Sequence, residues 1–516
     1  MKYLFAFAQI FLLFAFFSCR QRQAPTESKL HEAVEILYDS TLRPFYHGVA
    51  SGDPLEDRVI IWTRVTPSDS VDSINVKWQI SPNEKFDSIH SEGFLVTTPA
   101  RDYTVKVDAG NLAPGKFYYY RFSALGKTSI IGRTKTAALD PDSLNFAVVS
   151  CNNWEFGYFN AYACIANKNV DAVIHLGDYI YEYATGKYGD TTIGRINIPA
   201  HEVITLSDYR TRYSQYHLDE GLRHARQVHP FITIWDDHEV ANNVYTKGAQ
   251  NHQPDEGDFD ARKAAAKQAY YEWIPIRESG THYRKFHYGK LADLIMLDER
   301  LEGRTKPVDS ASAKDYNDDS RTMLGSTQHA WLEAALLKSP VVWHIIGNQV
   351  IFSDVNVTPT YKSSGINLDA WDGYPAEKRK IINLIRDHHL NNMIFLTGDT
   401  HASWAIEAAS ETKKTYDPKT SRGAFAIELG TTSVSSGNGD EYGVSPDTVI
   451  KKENALLRVN PHVKYLNNRD HGYLYITVLP EKIKSEWWYV ATLRTTSSEE
   501  KKGKSYEVKS GSHTLR

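Results

Sequence analysis

Four short apolar runs in this chain each stop on residues able to hold a metal ion. Residues 171–181 read Asp-Ala-Val-Ile-His-Leu-Gly-Asp-Tyr-Ile-Tyr, a buried-strand pattern broken at Gly177-Asp178. Residues 144–151 end in Ser-Cys, 231–238 in Trp-Asp-Asp-His, and 392–401 in Leu-Thr-Gly-Asp-Thr-His. Apolar runs of this length fit strands covered on both faces. In open α/β sheets, ligands collect beyond the carboxyl ends of the strands. The pattern therefore predicts that Cys151, Asp178, Tyr181, Asp237, His238, Asp399 and His401 meet at a single sheet edge. Taken one at a time, a Gly-Asp is a turn or cap, a lone cysteine a small buried residue, and a strand-end histidine a satisfied polar group. Recurrence at the same end of four separate runs is what favours a metal site.

The donor types divide. Asp178, at a strand terminus, can bridge two cations with one oxygen each, and Tyr181 reaches the same ion if Gly177-Asp178 opens a turn. Thiolate and phenolate are strongly donating anions, so Cys151 and Tyr181 together point to Fe(III) ahead of Mg(II) or Mn(II). Asp237 and Asp399 offer oxygen donors that suit Ca(II), Mn(II) or Mg(II). Two cations about 3.5 to 4 Å apart lower the pKa of a bridging water, aim the resulting hydroxide in line at phosphorus and neutralise the ester oxygens. His238, beside Asp237, is then the candidate to protonate the leaving oxygen or to bind the phosphoryl group. Asn242, Asn243, Arg300, Asn348 and Gln349 also fall near predicted strand ends. For each, a loop-stabilising role weighs at least as much as a ligand or phosphate contact.

At 516 residues the chain exceeds what one core fills, and two domains are expected. A formal net charge of -4 provides no global basic field, which excludes nucleic-acid binding as the main role and leaves phosphate recognition to local or metal-borne charge. Residues 1–18 carry a lysine and then an apolar block too short to span a bilayer of ~30 Å, the pattern of a secretory signal. Ser18-Cys19 at its end resembles a bacterial lipoprotein signal. Cys19 would become the lipidated first residue, with 19–42 as tether, and a plain signal peptide is the alternative. The expectation is an exported monomer of the bacterial cell envelope, facing the periplasm or the cell surface and held to the membrane by its lipid. An oxidising compartment invites a disulfide between Cys151 and Cys164. Their placement argues against it, since Cys151 closes a strand at the proposed site while Cys164 falls in an amphipathic helical pattern over 158–167.

Residues 43–138 show short β runs separated by Pro, Gly, Asn and Asp, the spacing of a sandwich. After a linker at 138–143, strands and helices alternate through 139–516. Helices are predicted over 206–215, 259–273, 326–337 and 376–388, the third opening on a Ser326 cap. Residues 309–320 and 433–442 read as loops, and the lysine-rich tail after Ser497 as a solvated surface.

The motifs Leu-Gly-Asp-Tyr-Ile-Tyr-Glu (176–182), Trp-Asp-Asp-His-Glu-Val-Ala-Asn-Asn (235–243) and Leu-Thr-Gly-Asp-Thr-His (396–401) resemble those of the alkaline phosphatase D (PhoD-like) family of calcineurin-like metallophosphoesterases. Phe-Tyr-His-Gly-Val-Ala-Ser-Gly-Asp-Pro (45–54) is similar to that family's N-terminal β domain. The resemblance implies an α/β fold: a four-layer α/β/β/α metallophosphoesterase sandwich preceded by a small all-β, fibronectin- or Ig-like sandwich. It implies hydrolysis of phosphate mono- or diesters with one Fe(III) and one or two Ca(II). Positions matching Cys151, Asp178, Tyr181 and His401 would hold iron, and those matching Asp178, Asp237 and Asp399 calcium. Ser-Cys replaces the superfamily's Asp-x-His, and Gly-Asp-Thr-His its Gly-His-x-His, which removes two histidines that dinuclear Mn or Zn members rely on. Metal identity therefore does not carry over from the wider superfamily, and Mn, Mg or Zn are the alternatives. The competing readings are an enzyme resembling purple acid phosphatase, which would lack Cys151 as a ligand, and a non-enzymatic surface lipoprotein that binds glycans.

Overall fold

The protein is described by a computed structural model over residues 33–278, 280–359, 365–410 and 412–516. The apolar leader and Cys19 lie outside the described residues. No described helix is long and apolar enough to cross a membrane.

Two large sheets stack face to face. The first has nine strands, in the order Glu500–Lys509, Lys482–Val490, Gly472–Val478, Leu144–Val149, Ala172–His175, Pro230–Thr233, Val49–Gly52, Val59–Arg64 and Thr104–Ala109. The second has seven, in the order Arg284–Tyr288, Ala292–Met296, Trp343–Asn348, Met393–Thr397, Ala424–Gly430, Ser403–Ala409 and Val463–Asn467. Three of the four ligand-bearing runs are adjacent parallel strands of the first sheet, with Val148 beside Ile174 and Ile174 beside Ile232. The fourth, Met393–Thr397, is central in the second sheet. The expected single edge is therefore the shared end of two stacked sheets.

Alternation explains why these strands are apolar on both faces. Phe146, Val148, Ile174 and Ile232 meet Met296, Ile345 and Leu396 between the sheets. Ala147, Val149, Val173 and Phe231 point the other way, into a layer with Tyr162, Tyr213, Leu222 and Trp273 from the covering helices Asn160–Ile165, Leu206–His217, Glu220–Val228 and Phe259–Trp273. Gly325–Leu337 and Pro375–Asp387 cover the second sheet through Leu332, Leu336, Ile381 and Ile385. Each such aliphatic side chain contributes about 1.5–3 kcal/mol by leaving water, and the result is the four-layer arrangement. Glu220–Val228 and Pro446–Val459 are helices that the sequence pattern did not suggest. The helix at 325 opens one residue before Ser326, its Gly325 N–H donating to the Thr322 hydroxyl.

The N-terminal sandwich packs Ile74–Ser81, Ser91–Thr97 and Phe117–Ala124 over Val49–Gly52, Val59–Arg64 and Thr104–Ala109, around Val49, Ile61, Val76, Ile80, Val105 and Phe122. One of its two sheets is not its own. Val49–Gly52 runs parallel to Pro230–Thr233, with Ser51 opposite Pro230 and Gly52 opposite Phe231, so the linker in the chain is not a gap in the sheet. Two expectations hold with an addition each: the lysines of the tail, in the exposed stretch 501–505, lie on the edge strand Glu500–Lys509, and the 433–442 loop is buried from Ser433 to Asn438.

Candidate metal centre

At the shared end of the sheets, the chain turns sharply after each strand. Cys151 (φ 62°), Asp178 (φ 57°), Asp399 (φ 58°) and His401 (φ 57°) all adopt left-handed backbone. Asp and His tolerate this region better than most residues, but Cys seldom enters it, and such backbone persists only where the surroundings over-determine it, at a cost of about 1–3 kcal/mol. The bracing is visible. Cys151 N–H donates to Gly177 O (3.1 Å) and Asn152 N–H to Asp178 O (2.9 Å). The Glu239 carboxylate accepts from the N–H groups of Asp178 (3.2 Å), Tyr179 (2.6 Å) and Asp236 (2.8 Å). Gly177 (φ 105°) has to be glycine, because a Cβ there would lie 2.3 Å from Asp236 Cβ.

The turns converge on Asp178. One donor atom each from Cys151, Asp178 and His401 lies within 4.8 Å of the others, and the same holds for Asp178, Asp237 and His238. Tyr181 joins the first group, its hydroxyl donating to Asp178 Oδ2 (2.9 Å) and lying 3.3 Å from His401 Nε2. His401 Nδ1 sits 3.1 Å from the Gly437 carbonyl. A proton placed there leaves the Nε2 lone pair facing Cys151 and Asp178, the orientation a metal-ligating histidine takes. Burial pushes the His401 imidazole down to about 4, which keeps it neutral and able to ligate.

On the other side, Asn243 N–H donates to Asp237 Oδ2 (2.6 Å), and Arg300, fully buried, contacts four carboxylates. It bonds Asp236, Asp369 (2.7 Å) and Asp399 (3.4 Å) and lies 3.8 Å from Asp237. Although burial works against ionisation, Arg300 and then His238 hold the Asp237 carboxyl below its usual range. His238 Nδ1 is 2.7 Å from Glu182 Oε2, so its Nε2 is turned to the site, 3.9 Å from Asp237 Oδ1. Against the cost of burial, the carboxylates of Asp237, Asp178 and Glu182 hold its imidazole above the usual range.

The residues fit a resident cation. Burial first, and then the charge of Asp178, hold the Cys151 thiol and the Tyr181 phenol well above their ordinary ranges, and burial does the same to Asp178 itself. A thiol, a phenol and a carboxyl buried this closely together each carry a penalty for ionising that a metal ion would relieve.

Six of the seven first-rank residues therefore meet around Asp178, and Asp399 is tied to them through Arg300 (3.4 Å). The second-rank residues are placed otherwise. The Asn242 and Asn243 carboxamides both donate to Gln250 Oε1 (2.9 and 2.7 Å), which is loop bracing. Asn348 accepts from Trp371 Nε1 (3.0 Å), and Gln349 donates to Leu297 O (2.6 Å), both within the core. Cys151 and Cys164 are both free. Sequence reasoning passed over Glu182, Asp236 and Glu239, although all three stand inside the quoted motifs. It also missed Asp369, Ser436 and Gly437, which no strand-end pattern marks.

Known proteins are similar to this chain in sequence and fold. A family model described as PhoD-like phosphatase matches residues 146–487, and one described as PhoD-like phosphatase, N-terminal domain, matches residues 32–138. Alkaline phosphatase D of Bacillus subtilis (strain 168) is 38% identical over 465 residues, covering 86% of this chain and 77% of the relative. A solved structure of PhoD superposes with a TM-score of 0.84 at 35% identity, covering 93% of this chain and 92% of that one. The purple acid phosphatase PPD1 from yellow lupin (Lupinus luteus) seeds matches with a TM-score of 0.52 over 90% of this chain and 73% of that one. At 13% identity it shares the fold alone.

Proposed function

The chain belongs to the PhoD-like phosphatase family and is a phosphoric ester hydrolase, and from that premise we propose that its chemistry runs at a mixed-metal centre divided at Asp178. Cys151, Asp178, Tyr181 and His401 hold Fe(III), and Asp178, Asp237 and Asp399 hold one or two Ca(II). The observation that supports this reading is the pair of donor groups sharing Asp178, with Cys151 and His401 on one side and Asp237 and His238 on the other. Asp399 is brought to the second side by Arg300 (3.4 Å). Thiolate and phenolate suit the trivalent ion, and all-oxygen donors suit calcium ahead of Mn, Mg or Zn. Cations so held would acidify a water and neutralise the ester oxygens.

The chain's own groups do the rest. His238, fixed through Nδ1 by Glu182, presents Nε2 to the site and acts as the acid that protonates the leaving oxygen. Arg300 is walled in behind Asp237 and Asp399, so it sets the carboxylates and does not contact the substrate. A second reading of His238, as a metal ligand, is favoured by its place in the Asp178, Asp237, His238 group. Metal analysis of the purified protein, with rates on paired mono- and diester substrates, tests the centre. A colourless, fully active preparation containing only zinc would sink the iron assignment. We also propose export and acylation at Cys19, on the strength of the apolar block before it. Cys19→Ala should release the enzyme from membranes, and a mature chain starting elsewhere refutes the anchor.

A further inference from the structure

We infer that His471 is a positioning residue of the metal centre, acting through the 433–442 loop without touching metal or substrate. The inference rests on the metal-centre reading above. The loop reaches three of the proposed ligands. Val434 N–H donates to Ser150 O (2.9 Å), and the Ser435 and Ser436 N–H groups donate to Cys151 O (3.3 and 3.2 Å). Ser436 Oγ lies 2.7 Å from the Tyr181 hydroxyl, and the Gly437 carbonyl lies 3.1 Å from His401 Nδ1. At the exposed end, Tyr442 OH is 3.1 Å from Tyr188 OH, which is itself 3.3 Å from His401 Nδ1. A serine and glycine stretch has little stiffness of its own, so something outside it must hold this shape.

His471 supplies the hold. Its Nδ1 lies 2.9 Å from Ser433 Oγ and its Nε2 lies 2.9 Å from Glu441 Oε1, so one imidazole ties the first residue of the loop to a residue near its far end. Each tie is carried inward. Ser433 Oγ donates to the Ser436 carbonyl (2.7 Å), and Glu441 Oε2 accepts from Asn438 N–H (2.6 Å), which fixes the two residues flanking Gly437 and the Ser436 hydroxyl. The turn that carries His471 is itself anchored, with Gly472 N–H donating to Ser433 O (3.1 Å) and Thr432 Oγ1 to Asp470 O (2.7 Å). Serine, histidine and carboxylate are in hydrogen-bond sequence here, as in a hydrolase triad. Ser433 is fully buried, however, and its proton goes to a backbone carbonyl, so the set acts as a brace and not as a nucleophile. Partners outside the ligand shell orient the ligands, and their loss typically lowers metal affinity about 10- to 100-fold.

The test uses the full-length, metal-loaded enzyme and reads the rate of metal loss to a chelator alongside kcat, KM and Tm. His471→Ala and Ser433→Ala should release metal about 10- to 100-fold faster, with kcat falling in step and KM little changed. His471→Gln, which can reach only one of the two partners at a time, should fall between. Leu332→Ala, in the layer covering the second sheet, serves as a control that lowers Tm without faster metal loss. The inference is overturned if His471→Ala, or His471→Gln should the alanine variant not fold, holds metal as the parent does or loses it no faster than a control of equal Tm. A parent that is active but metal-free sinks the metal-centre reading as well, whereas a loaded parent with an indifferent His471 sinks only the brace.

Discussion

On one side of Asp178 the donors are a thiol, a phenol and a neutral imidazole whose partners, Asp178 itself apart, are hydroxyls and a backbone carbonyl; on the other they are carboxylates already facing Arg300 and His238. On the first side burial penalises thiolate and phenolate, and the hydroxyls of Ser150 and Ser436 only partly offset that penalty, so both groups stay well above their ordinary ranges. On the second, Arg300 and His238 outweigh burial at Asp237 and hold its carboxyl below its usual range, whereas at Asp399 burial outweighs Arg300 and pushes the carboxyl up to about 7. In the proposed centre the two sides of Asp178 would thus take metal on different terms, Cys151 and Tyr181 by exchanging protons for an ion and Asp237 by adding an ion to existing charge.

Removing the residue common to both pockets should have the largest effect. Asp178→Ala should strip both kinds of metal and lower kcat by more than ~10⁴-fold, beyond the range expected for losing a general acid alone. Retention of either metal at full occupancy would mean that Asp178 is not the bridge. Next comes His238→Ala, for which about 10²- to 10⁴-fold loss of turnover is expected with the metals kept. The loss should be larger for alkyl esters than for nitrophenyl esters, whose leaving group departs without a proton. Equal loss on both ester types would make His238 a phosphate-binding group, and loss of metal would make it a ligand.

A smaller effect separates the two sides directly. Cys151→Ser should weaken one metal by about 10- to 100-fold while leaving the calcium content unchanged, read by elemental analysis after dialysis. Parallel loss of both metals would break the division at Asp178. Smallest is the proton count. Metal binding on the Cys151 side should release protons, because the groups that must ionise are held above their ordinary ranges there. Affinity on that side should therefore rise with pH, by about tenfold per unit for each proton released. Calorimetry in buffers of different ionisation enthalpy measures this, and Tyr181→Phe should reduce the number. No proton release from the parent would contradict the protonated thiol and phenol.

The ligand set was legible because it obeys a local rule, an apolar run followed by donors, and that rule survives without knowledge of which sheet each run enters. The stacking of Met393–Thr397 in the other sheet left no local trace. Ser433 to Asn438 looked like surface because serine, glycine and asparagine are common in loops. Their burial comes from bonds to Cys151, Tyr181 and His471, partners 38 to 285 residues away. Glu182 and Glu239 stood beside assigned residues but ligate nothing in the arrangement, and their work of orienting His238 and capping the Asp178 turn appears only in three dimensions. The lysines at 501, 502 and 504 suggested solvent and are indeed exposed, but they do so on a strand, where charge keeps an unpaired edge from recruiting another chain.

The parallel pairing of Val49–Gly52 with Pro230–Thr233 has a consequence for anyone who would divide this protein. The nine-stranded sheet is closed at one end by strands made first and at the other by strands made last, so neither half can finish without the other. A fragment beginning at residue 139 would leave Pro230–Thr233 as a raw edge, flat and apolar, with its hydrogen-bonding groups open to a second molecule. Such a fragment should sediment as aggregate under conditions that keep the whole chain in solution, and a monodisperse fragment would contradict this.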